Sequence, residues 1–242
     1  MDDLLVKLAA FDTPTICNCI ELFEVRPRNV GYMDARIKAC FPEMPPMVGY
    51  AATATMRCSV PPRHGDVYAS TVSQVERFGE LSGSPVLVFQ DLDDPPQAAV
   101  CGEIMCTTYQ AFGAIGLITN GGGRDLAQVR ALNFPVFTSR SICSHAYSTV
   151  LHIHTPVHVG GMVIYPDDLM HGDCNGVTTI PHEIVVELAD VGAEYVAAEA
   201  IILNALREGT ATVQRLREAR AAADAKMTEL RDRVSRRRRS GG

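Results

Sequence analysis

The stretch Ala114-Ile-Gly-Leu-Ile-Thr-Asn-Gly-Gly-Gly-Arg-Asp125 joins a short apolar run to three glycines and a pair of opposite charges. The apolar run predicts a buried strand, and the glycines predict a tight turn that a ligand can approach closely. Apolar residues then recur with the helical period at Leu126, Val129 and Leu132. Because free N–H groups converge where a glycine loop meets a helix N-terminus, the stretch predicts an anion-binding site.

Arg124 and Asp125 suit two different ligands at the end of this loop. The Arg124 guanidinium is a planar fork that fits a carboxylate or phosphate with two hydrogen bonds. Asp125 has no reason to bind the same anion, but its carboxylate suits a hard cation such as Mg²⁺ that the anion also touches. The pair therefore predicts a site for an anion together with a divalent cation.

Glu103 is predicted to reach the same place. A helix is predicted over residues 103–112, and a strand that runs back begins near Ile115. A helix of ten residues and a strand of five residues are each roughly 15 Å long. The returning strand should therefore bring the loop at 120–125 beside Glu103, so that two acids and an arginine share one edge.

The same three side chains also fit a purely structural role. Glu103 favours a helix N-terminus, Asp125 suits a helix cap, and Arg124 can pair with either acid. The residue types alone leave both interpretations open.

Other chemically capable side chains have no placed partner. The pattern H-x-H-x3-H at residues 152–158 puts two histidines on one strand face, as in some metal sites, although packing or surface positions explain it equally. His64 lies in a predicted loop and could assist catalysis or line a pocket. Cys101 and Cys106 flank the start of the Glu103 helix and are candidate thiol nucleophiles.

Composition excludes several classes of function. With 242 residues, 47% hydrophobic residues and a net charge of −6, the chain is expected to be a globular protein without a general nucleic-acid role. No apolar run reaches membrane-spanning length, and the acidic N-terminus lacks the basic start of a signal peptide. Eight scattered cysteines favour reduced thiols, so we expect a cytoplasmic protein that binds no membrane.

Strands and helices alternate along the chain. This order predicts an α/β fold with a central mixed β-sheet flanked by helices. A long helix is predicted from Pro181 to about Arg207, and an Ala/Arg/Glu-rich helical stretch follows over residues 210–235. The predicted strands are 50–58, 85–90, 115–119, 136–138, 149–155, 157–165 and 177–180.

Several motifs in a fixed order link the chain to a known family. They are Gly102-Glu103 with Arg124-Asp125 twenty residues later, Phe134-Pro-Val-Phe137, Pro156-Val157, Gly160-Gly161, Gly172-Asp173-x-x-Gly176-Val177 and Ile180-Pro181. On these motifs the chain resembles the RraA-like family, which includes 4-hydroxy-4-methyl-2-oxoglutarate aldolases that also decarboxylate oxaloacetate, and regulators of ribonuclease E. The resemblance implies one RraA-like domain over residues 45–208, between helical extensions at 1–44 and 209–242.

The resemblance also implies roles for individual residues. Arg124 would grip the substrate carboxylate and steady the developing enolate. Asp125 would anchor Mg²⁺ (or Mn²⁺), largely through ordered waters, and Glu103 would hold a metal-bound water. The backbone N–H groups of Ile104 and Met105 would bind the carboxylate.

Three further residues enter through the resemblance. Gly102 and Asn120 would be substrate-binding residues. Glu199 would reach the proton-transfer path of a neighbouring subunit, which requires a homotrimer or homohexamer. The family normally has Asp at the Glu103 position, often has Asp at the Asn120 position, and has an acid at the Gln128 position, so the natural substrate of this chain could differ.

The function expected on these grounds is a metal-dependent carbon–carbon lyase, an aldolase or decarboxylase, acting on a small 2-oxo acid through a pyruvate-type enolate. One alternative is a non-catalytic RraA-like oligomer that binds a protein partner. Another is a metal-dependent acid–base enzyme acting on a different carboxylate.

Overall fold

The computed structural model describes residues 3–62 and 69–240, with side chains to residue 235. The candidate His64 lies outside the described residues. The chain forms two compact units, the first from Met1–Thr13 and Asn29–Ile180, the second from Pro14–Arg28 and Pro181–Gly242. These divisions fall at other positions than the predicted boundaries at 44 and 208.

The first unit is built on an eight-stranded mixed sheet. Its strands are β1 (Lys38–Ala39), β2 (Met47–Arg57), β3 (Pro85–Asp91), β5 (Gly116–Thr119), β7 (Val136–Thr138), β9 (Thr149–Ile153), β12 (Leu169–Asp173) and β13 (Gly176–Ile180). Their order in the sheet is β1-β7-β5-β3-β2-β12-β13, with β9 also paired to β2. The strands β2, β3, β5 and β7 are parallel neighbours, and the other pairs in this sheet are antiparallel. The predicted α/β fold with a central mixed sheet flanked by helices is confirmed.

Two smaller sheets complete the first unit. Three short parallel strands form one of them: β4 (Ala99–Cys101), β6 (Gly122–Gly123) and β8 (Arg140–Ser141). The other is the antiparallel hairpin of β10 (Val157–Val159) and β11 (Met162–Ile164). The small parallel sheet matters for function because its first two strands immediately precede Gly102 and Arg124.

The main sheet is buried on both faces, as parallel strands usually are. One face packs side chains such as Leu87, Phe89 and Tyr109, and the other packs Val88 and Ile118. In β2 every residue from Met47 to Met56 is buried, which explains its continuous run of small and apolar side chains. The helices of this unit are α1 (Asp3–Leu8), α3 (Thr71–Glu76), α4 (Glu103–Ala111) and α5 (Leu126–Ala131).

The second unit is helical. It contains most of α2 (Thr13–Glu21), together with α6 (Val185–Arg207) and α7 (Val213–Ser240). The helix α7 lies along α6 and buries a stripe spaced by whole helical turns, which consists of Ala219, Ala223, Leu230 and Val234. Among the described residues, no helix is both long and apolar enough to cross a membrane.

The single strand predicted over residues 157–165 is wrong. Gly160 and Gly161 have φ angles of 58° and 79°, which form a two-residue turn between β10 and β11. The prediction also lacked β12, whose sequence Leu-Met-His-Gly-Asp has polar residues that look like a turn. His171 and Asp173 are nevertheless buried there, because Thr13 hydrogen-bonds to both side chains.

Candidate functional site

The glycine loop places Asp125 in a strained position. Asp125 has φ 53° and ψ 36°, in the left-handed region that L-residues rarely occupy, and its side chain does not cap α5. Its Oδ2 atom instead accepts a hydrogen bond of 3.1 Å from the Glu103 backbone N–H. The carboxylate is therefore fixed by α4 rather than by the helix it precedes. The predicted return of the loop at 120–125 to the start of the Glu103 helix is confirmed.

Arg124 is held beside this carboxylate. Its backbone N–H donates to the Cys101 carbonyl at 3.0 Å, and its side-chain Nε lies 3.6 Å from Asp125 Oδ2. The Arg124 and Asp125 side chains are 33% and 36% exposed, so both remain accessible to a ligand. Among the described residues, Asp125 is the only charged partner of the guanidinium.

Gly102 makes the close approach of these groups possible. A Cβ at this position would lie 2.6 Å from Asp125 Oδ2 and 3.1 Å from Arg124 Cγ. Gly102 also precedes α4 without offering a side-chain cap, so the next N–H groups of the first turn, those of Ile104 and Met105, stay available. The glycine thus serves packing and ligand access together.

A cavity of about 450 Å³ opens at this corner. The predicted residues Gly102, Arg124 and Asp125 line it, and the first turn of α4 adds Ile104 and Met105. The Glu103 side chain is exposed and is not among the lining groups, although its backbone N–H holds Asp125. The remaining lining residues are Thr71, Val72, Ala99, Val100, Cys101, Thr108, His145 and Ser148.

His145 and Ser148 escaped the sequence predictions. They lie after β8, about twenty residues beyond Asp125, in a segment with no recognisable motif. The available signal was the pairing of β8 with β6, which carries the following chain back to the same edge. That pairing of two-residue strands is too short to predict from sequence.

Asn120 lies outside the Arg124 cavity, and its side chain binds the backbone of Asp91. Its side-chain Oδ1 accepts the Asp91 backbone N–H at 2.7 Å, and its Nδ2 donates to the Asp91 carbonyl at 2.8 Å. The side chain thereby ties the ends of β3 and β5 together. It faces a second cavity of about 340 Å³ and does not line the Arg124 cavity.

The second cavity is polar and contains buried acids. Asp91 and Asp93 line it and are 3% and 8% exposed. Burial raises the pKa of Asp91 to about 6, and the neighbouring Asp93 charge adds to this. Asp93 has a lowered pKa even though burial acts in the opposite direction, because it accepts hydrogen bonds from Ser59 Oγ and from the Cys58 and Ser59 backbone N–H groups.

The three histidines at 152–158 do not come together as a metal site. His152 pairs with the Thr55 hydroxyl, and His158 is an exposed residue at the second cavity. The His154 side chain is buried, and burial lowers its pKa. No histidine belongs to a metal-ligand cluster within the described part of the chain.

The thiols beside α4 are poorly suited to nucleophilic catalysis. Cys101 and Cys106 are both buried, and their mutual hydrogen bond, together with burial, raises the pKa of Cys101. A thiol that stays protonated is a weak nucleophile. The structure therefore does not favour the thiol interpretation.

A sequence profile of the RraA-like family, described as Aldolase/RraA, matches residues 13–179. The chain belongs to the RraA-like family. The match extends further toward the N-terminus than the resemblance over residues 45–208 and ends before α6. It includes every predicted site residue except Glu199.

Relatives match part of this RraA-like chain. A protein of Halalkalibacterium halodurans, provisionally named a 4-hydroxy-4-methyl-2-oxoglutarate aldolase, is 33% identical over 103 residues, which are 42% of this chain and 49% of that protein. An uncharacterized protein of Methanocaldococcus jannaschii is 31% identical over 96 residues, which are 39% of this chain and 46% of that protein. The match thus spans about half the length of these curated relatives.

Solved structures share the RraA-like fold. An uncharacterized protein from Pseudomonas syringae pv. tomato has a TM-score of 0.70 at 21% identity, with 91% of this chain and 94% of that chain covered. The protein RraAS2 of Streptomyces coelicolor, described as an unusual member of the RNase ES inhibitor RraA family, has a TM-score of 0.63 at 22% identity, with 83% and 96% covered. At these identities the likeness establishes the fold alone.

Glu199 lies in the helical unit, on α6. It is half-buried and close to Tyr195 and Cys19 of the same unit. Burial and the Glu199 carboxylate raise the pKa of Tyr195 to about 12. Its expected role in a neighbouring subunit's site stays a prediction.

Proposed function

We propose that this RraA-like protein is a divalent-metal-dependent carbon–carbon lyase that cleaves a 2-oxo acid through a pyruvate-type enolate. One observation carries the proposal: Arg124 and Asp125 stand 3.6 Å apart, half-exposed, at a cavity of about 450 Å³. A site that stabilises an enolate needs fixed positive charge and a Lewis acid where negative charge grows. This pair offers both a cation and a cation ligand.

Arg124 is the proposed substrate anchor. With its Nε directed toward Asp125, the guanidinium keeps terminal N–H groups for a carboxylate. The N–H groups of Ile104 and Met105 lie in the first turn of α4, where a helix leaves its donors without partners. Together these donors would orient the substrate carboxylate and stabilise charge on the 2-oxo oxygen.

Asp125 is the proposed metal ligand. Its Oδ2 atom is positioned by the Glu103 N–H, and the missing Cβ of Gly102 keeps the space next to it open. A single half-exposed carboxylate fits a hard cation that keeps most of its water ligands, as Mg²⁺ and Mn²⁺ do. When bound, such a cation would supply Lewis-acid polarisation of the 2-oxo group.

Glu103 and Glu199 are the proposed groups for proton transfer. The Glu103 side chain is exposed beside Asp125, where it can hold an ordered water. Glu199 would act in the site of a neighbouring subunit, within a homotrimer or homohexamer. Large apolar side chains at the cavity support such an assembly, because Ile104 is 82% exposed and Val72 is 67% exposed.

The test is the release of pyruvate from oxaloacetate and from 4-hydroxy-4-methyl-2-oxoglutarate, with Mg²⁺, with Mn²⁺ and with EDTA. We expect activity that EDTA removes and added metal restores. We expect Arg124→Ala to lower kcat/KM by about 10³-fold, the usual effect of removing a charge-stabilising donor. The matched variant Arg124→Lys, which keeps charge but loses the fork, should retain more activity.

Asp125→Asn separates metal binding from local structure. Asn keeps an acceptor for the Glu103 N–H and tolerates the left-handed conformation, but it removes the negative charge. We expect a folded protein that needs far more Mg²⁺ for activity. Activity that is unaffected by EDTA or by Arg124→Ala would contradict the lyase function. Absence of activity on a panel of 2-oxo acids would favour a protein-binding regulator or an acid–base enzyme on another carboxylate.

A further inference from the structure

A second group of metal-type ligands lies on the main sheet, apart from Asp125. Cys58, Asp91 and Asp93 each place one ligand atom so that all three atoms lie within 4.8 Å of one another. Their exposures are 0%, 3% and 8%. The group follows from topology, because β2 ends at Arg57, β3 ends at Asp91, and Met56 pairs with Asp91 in the parallel register. Cys58, two residues after Met56, falls on the same side as Asp91.

Hydrogen bonding accounts for one acid of this group but not for the other. Asp93 accepts from Ser59 Oγ at 2.6 Å and from two backbone N–H groups at 2.8 Å, and Arg57 Nε lies 3.6 Å away. Asp91 Oδ1 accepts the Asp93 N–H at 3.0 Å. Asp91 Oδ2, however, is buried without any hydrogen-bond donor in the part of the chain that the structure describes.

A buried carboxylate oxygen without a donor is rare in folded proteins and needs an explanation. Replacing water around such an atom is costly unless a donor or a cation takes its place. Within residues 3–62 and 69–235, no side chain donates a hydrogen bond to this oxygen, and the ion pair of Arg57 is with Asp93. A bound cation would satisfy the oxygen and the two neighbouring ligand atoms together.

We propose that Cys58, Asp91 and Asp93 bind a divalent cation of the zinc class. A sulfur ligand excludes Mg²⁺ and Ca²⁺, which take oxygen ligands, whereas Zn²⁺ and Co²⁺ accept thiolate and carboxylate together. On binding, the Cys58 thiol becomes a thiolate and its proton passes to solvent, while the metal keeps its oxidation state.

The proposed site has an open side. Asp91 and Asp93 also line the second cavity of about 340 Å³, together with Asp94, Asn120 and Arg140. Three protein ligands leave a fourth tetrahedral position for water or another small ligand from this cavity. The bound ion would also connect the carboxyl ends of β2 and β3. One of its ligands, Asp91, is the residue whose backbone is hydrogen-bonded to the Asn120 side chain.

This inference is independent of the proposed lyase function, because it uses none of the residues at the Arg124 cavity. The experiment is titration of the metal-free, chelator-treated protein with Zn²⁺ and with Co²⁺. Bound metal is counted by elemental analysis, and Co²⁺ is followed by its thiolate-to-metal charge-transfer absorption. The variants are Cys58→Ser and Asp91→Asn, with Asp125→Asn to separate the two sites.

Cys19→Ser is the matched control. Cys19 is also fully buried, but it lies in the helical unit and belongs to no described metal-ligand cluster. We expect one equivalent of Co²⁺ to give the thiolate band in the wild type, in Cys19→Ser and in Asp125→Asn, whereas Co²⁺ bound at Asp125 has no sulfur ligand and gives no such band. Cys58→Ser should lose the band, and Asp91→Asn should weaken Co²⁺ binding by about 100-fold or more.

Absence of the band from the wild-type protein would overturn the proposal, as would its persistence in Cys58→Ser or its loss in Cys19→Ser. If Cys58→Ser does not fold, the wild-type band and the Asp91→Asn affinity decide the question. A further wild-type measurement needs no variant: stoichiometric Zn²⁺ should raise the thermal unfolding midpoint, and an unchanged midpoint would count against the site.

Discussion

Two acidic corners of the sheet unit differ in how they use their polar groups. At the first, Arg124 and Asp125 are 33% and 36% exposed beside a cavity of about 450 Å³. At the second, Asp91 and Asp93 are 3% and 8% exposed. The Asn120 side-chain amide there hydrogen-bonds the Asp91 backbone through both its oxygen and its nitrogen. The first corner keeps its charges available, whereas the second commits most of its polar atoms to the fold.

The two corners are joined by one loop, residues 120–125. Asn120 fixes the start of the loop to β3, and the strained Asp125 ends it at α4. Ligands of open α/β sheets bind beyond the carboxyl ends of the strands, where such loops begin. The contrast suggests that Asn120 stabilises the sheet at the base of the loop, whereas Gly102 and the Glu103 N–H position the open pair, and the following variants test this difference.

Among the variants that compare the two corners, the largest effect is expected from Gly102→Ala. The added Cβ would meet Asp125 Oδ2 at 2.6 Å, so the Arg124–Asp125 pair must move. Misplacing catalytic groups by about 1 Å costs roughly 10²-fold in rate, and we expect kcat/KM for pyruvate release to fall by about that factor. The unfolding midpoint should change little, because Gly102 has φ −162°, which alanine adopts without strain.

Gly79→Ala is the control, since a Cβ there meets no atom of the described residues within 4 Å. Equal activity of Gly102→Ala and Gly79→Ala would show that the packing of Gly102 against Asp125 does not matter for catalysis.

Asn120→Ala should act on stability instead. It removes two hydrogen bonds between the ends of β3 and β5, and we expect the free energy of unfolding to fall by about 2 kcal/mol. Because Asn120 does not line the Arg124 cavity, KM should stay within about 3-fold of the wild-type value. The loss of a substrate contact worth about 1.4 kcal/mol would instead raise KM about tenfold. Chemical denaturation and steady-state kinetics measure the two effects separately. A large rise in KM with unchanged stability would restore Asn120 as a substrate-binding residue.

Asp91→Asn should change how stability depends on pH in chelator-treated protein. Burial raises the folded-state pKa of Asp91 from 3.8 to about 6, so this group contributes stability below pH 3.8 that is lost as the pH rises through about 6. An asparagine at this position does not ionise, so the variant does not lose this stability as the pH rises. The variant should therefore gain about 2.5 kcal/mol relative to wild type between pH 4 and pH 7.5, since the pKa is raised by about two units and each unit corresponds to roughly 1.4 kcal/mol.

Urea denaturation at several pH values gives this difference directly. Added Zn²⁺ should remove the advantage of Asp91→Asn, because the ion would stabilise only the wild-type carboxylate. A difference between the two proteins that is constant with pH would contradict the raised pKa.

The first corner was predictable because its geometry is local. One helix and one returning strand separate Glu103 from Asp125, and their lengths follow from standard rises per residue. The second corner was not predictable in the same way. In the sequence, Asp91 and Asp93 lie in the turn-rich acidic segment Asp91-Leu-Asp-Asp-Pro-Pro96. Their closeness to Cys58 depends on the register of β2 against β3, which sequence patterns do not specify.

Other differences between prediction and structure have similar causes. Periodicity could not distinguish one strand over 157–165 from a hairpin, because the decisive feature is the positive φ of Gly160 and Gly161. The strand β12 was absent from the prediction because it contains a buried histidine, His171. The hydrogen-bond partner of this histidine is Thr13, which lies 158 residues away in the sequence. Long-range pairing of polar groups leaves no local pattern.

The bond from the Asp91 backbone N–H to Asn120 Oδ1 makes one amide proton a natural reporter. This N–H donates to a side-chain oxygen and not to a backbone carbonyl of a neighbouring strand. It can therefore exchange with deuterium only when the hydrogen bond to Asn120 breaks or the whole unit unfolds. Comparing its exchange rate with that of a central sheet amide would measure how often the base of the loop loosens while the rest of the sheet stays intact. A single resonance would thus report local opening at the base of the loop, five residues before Asp125.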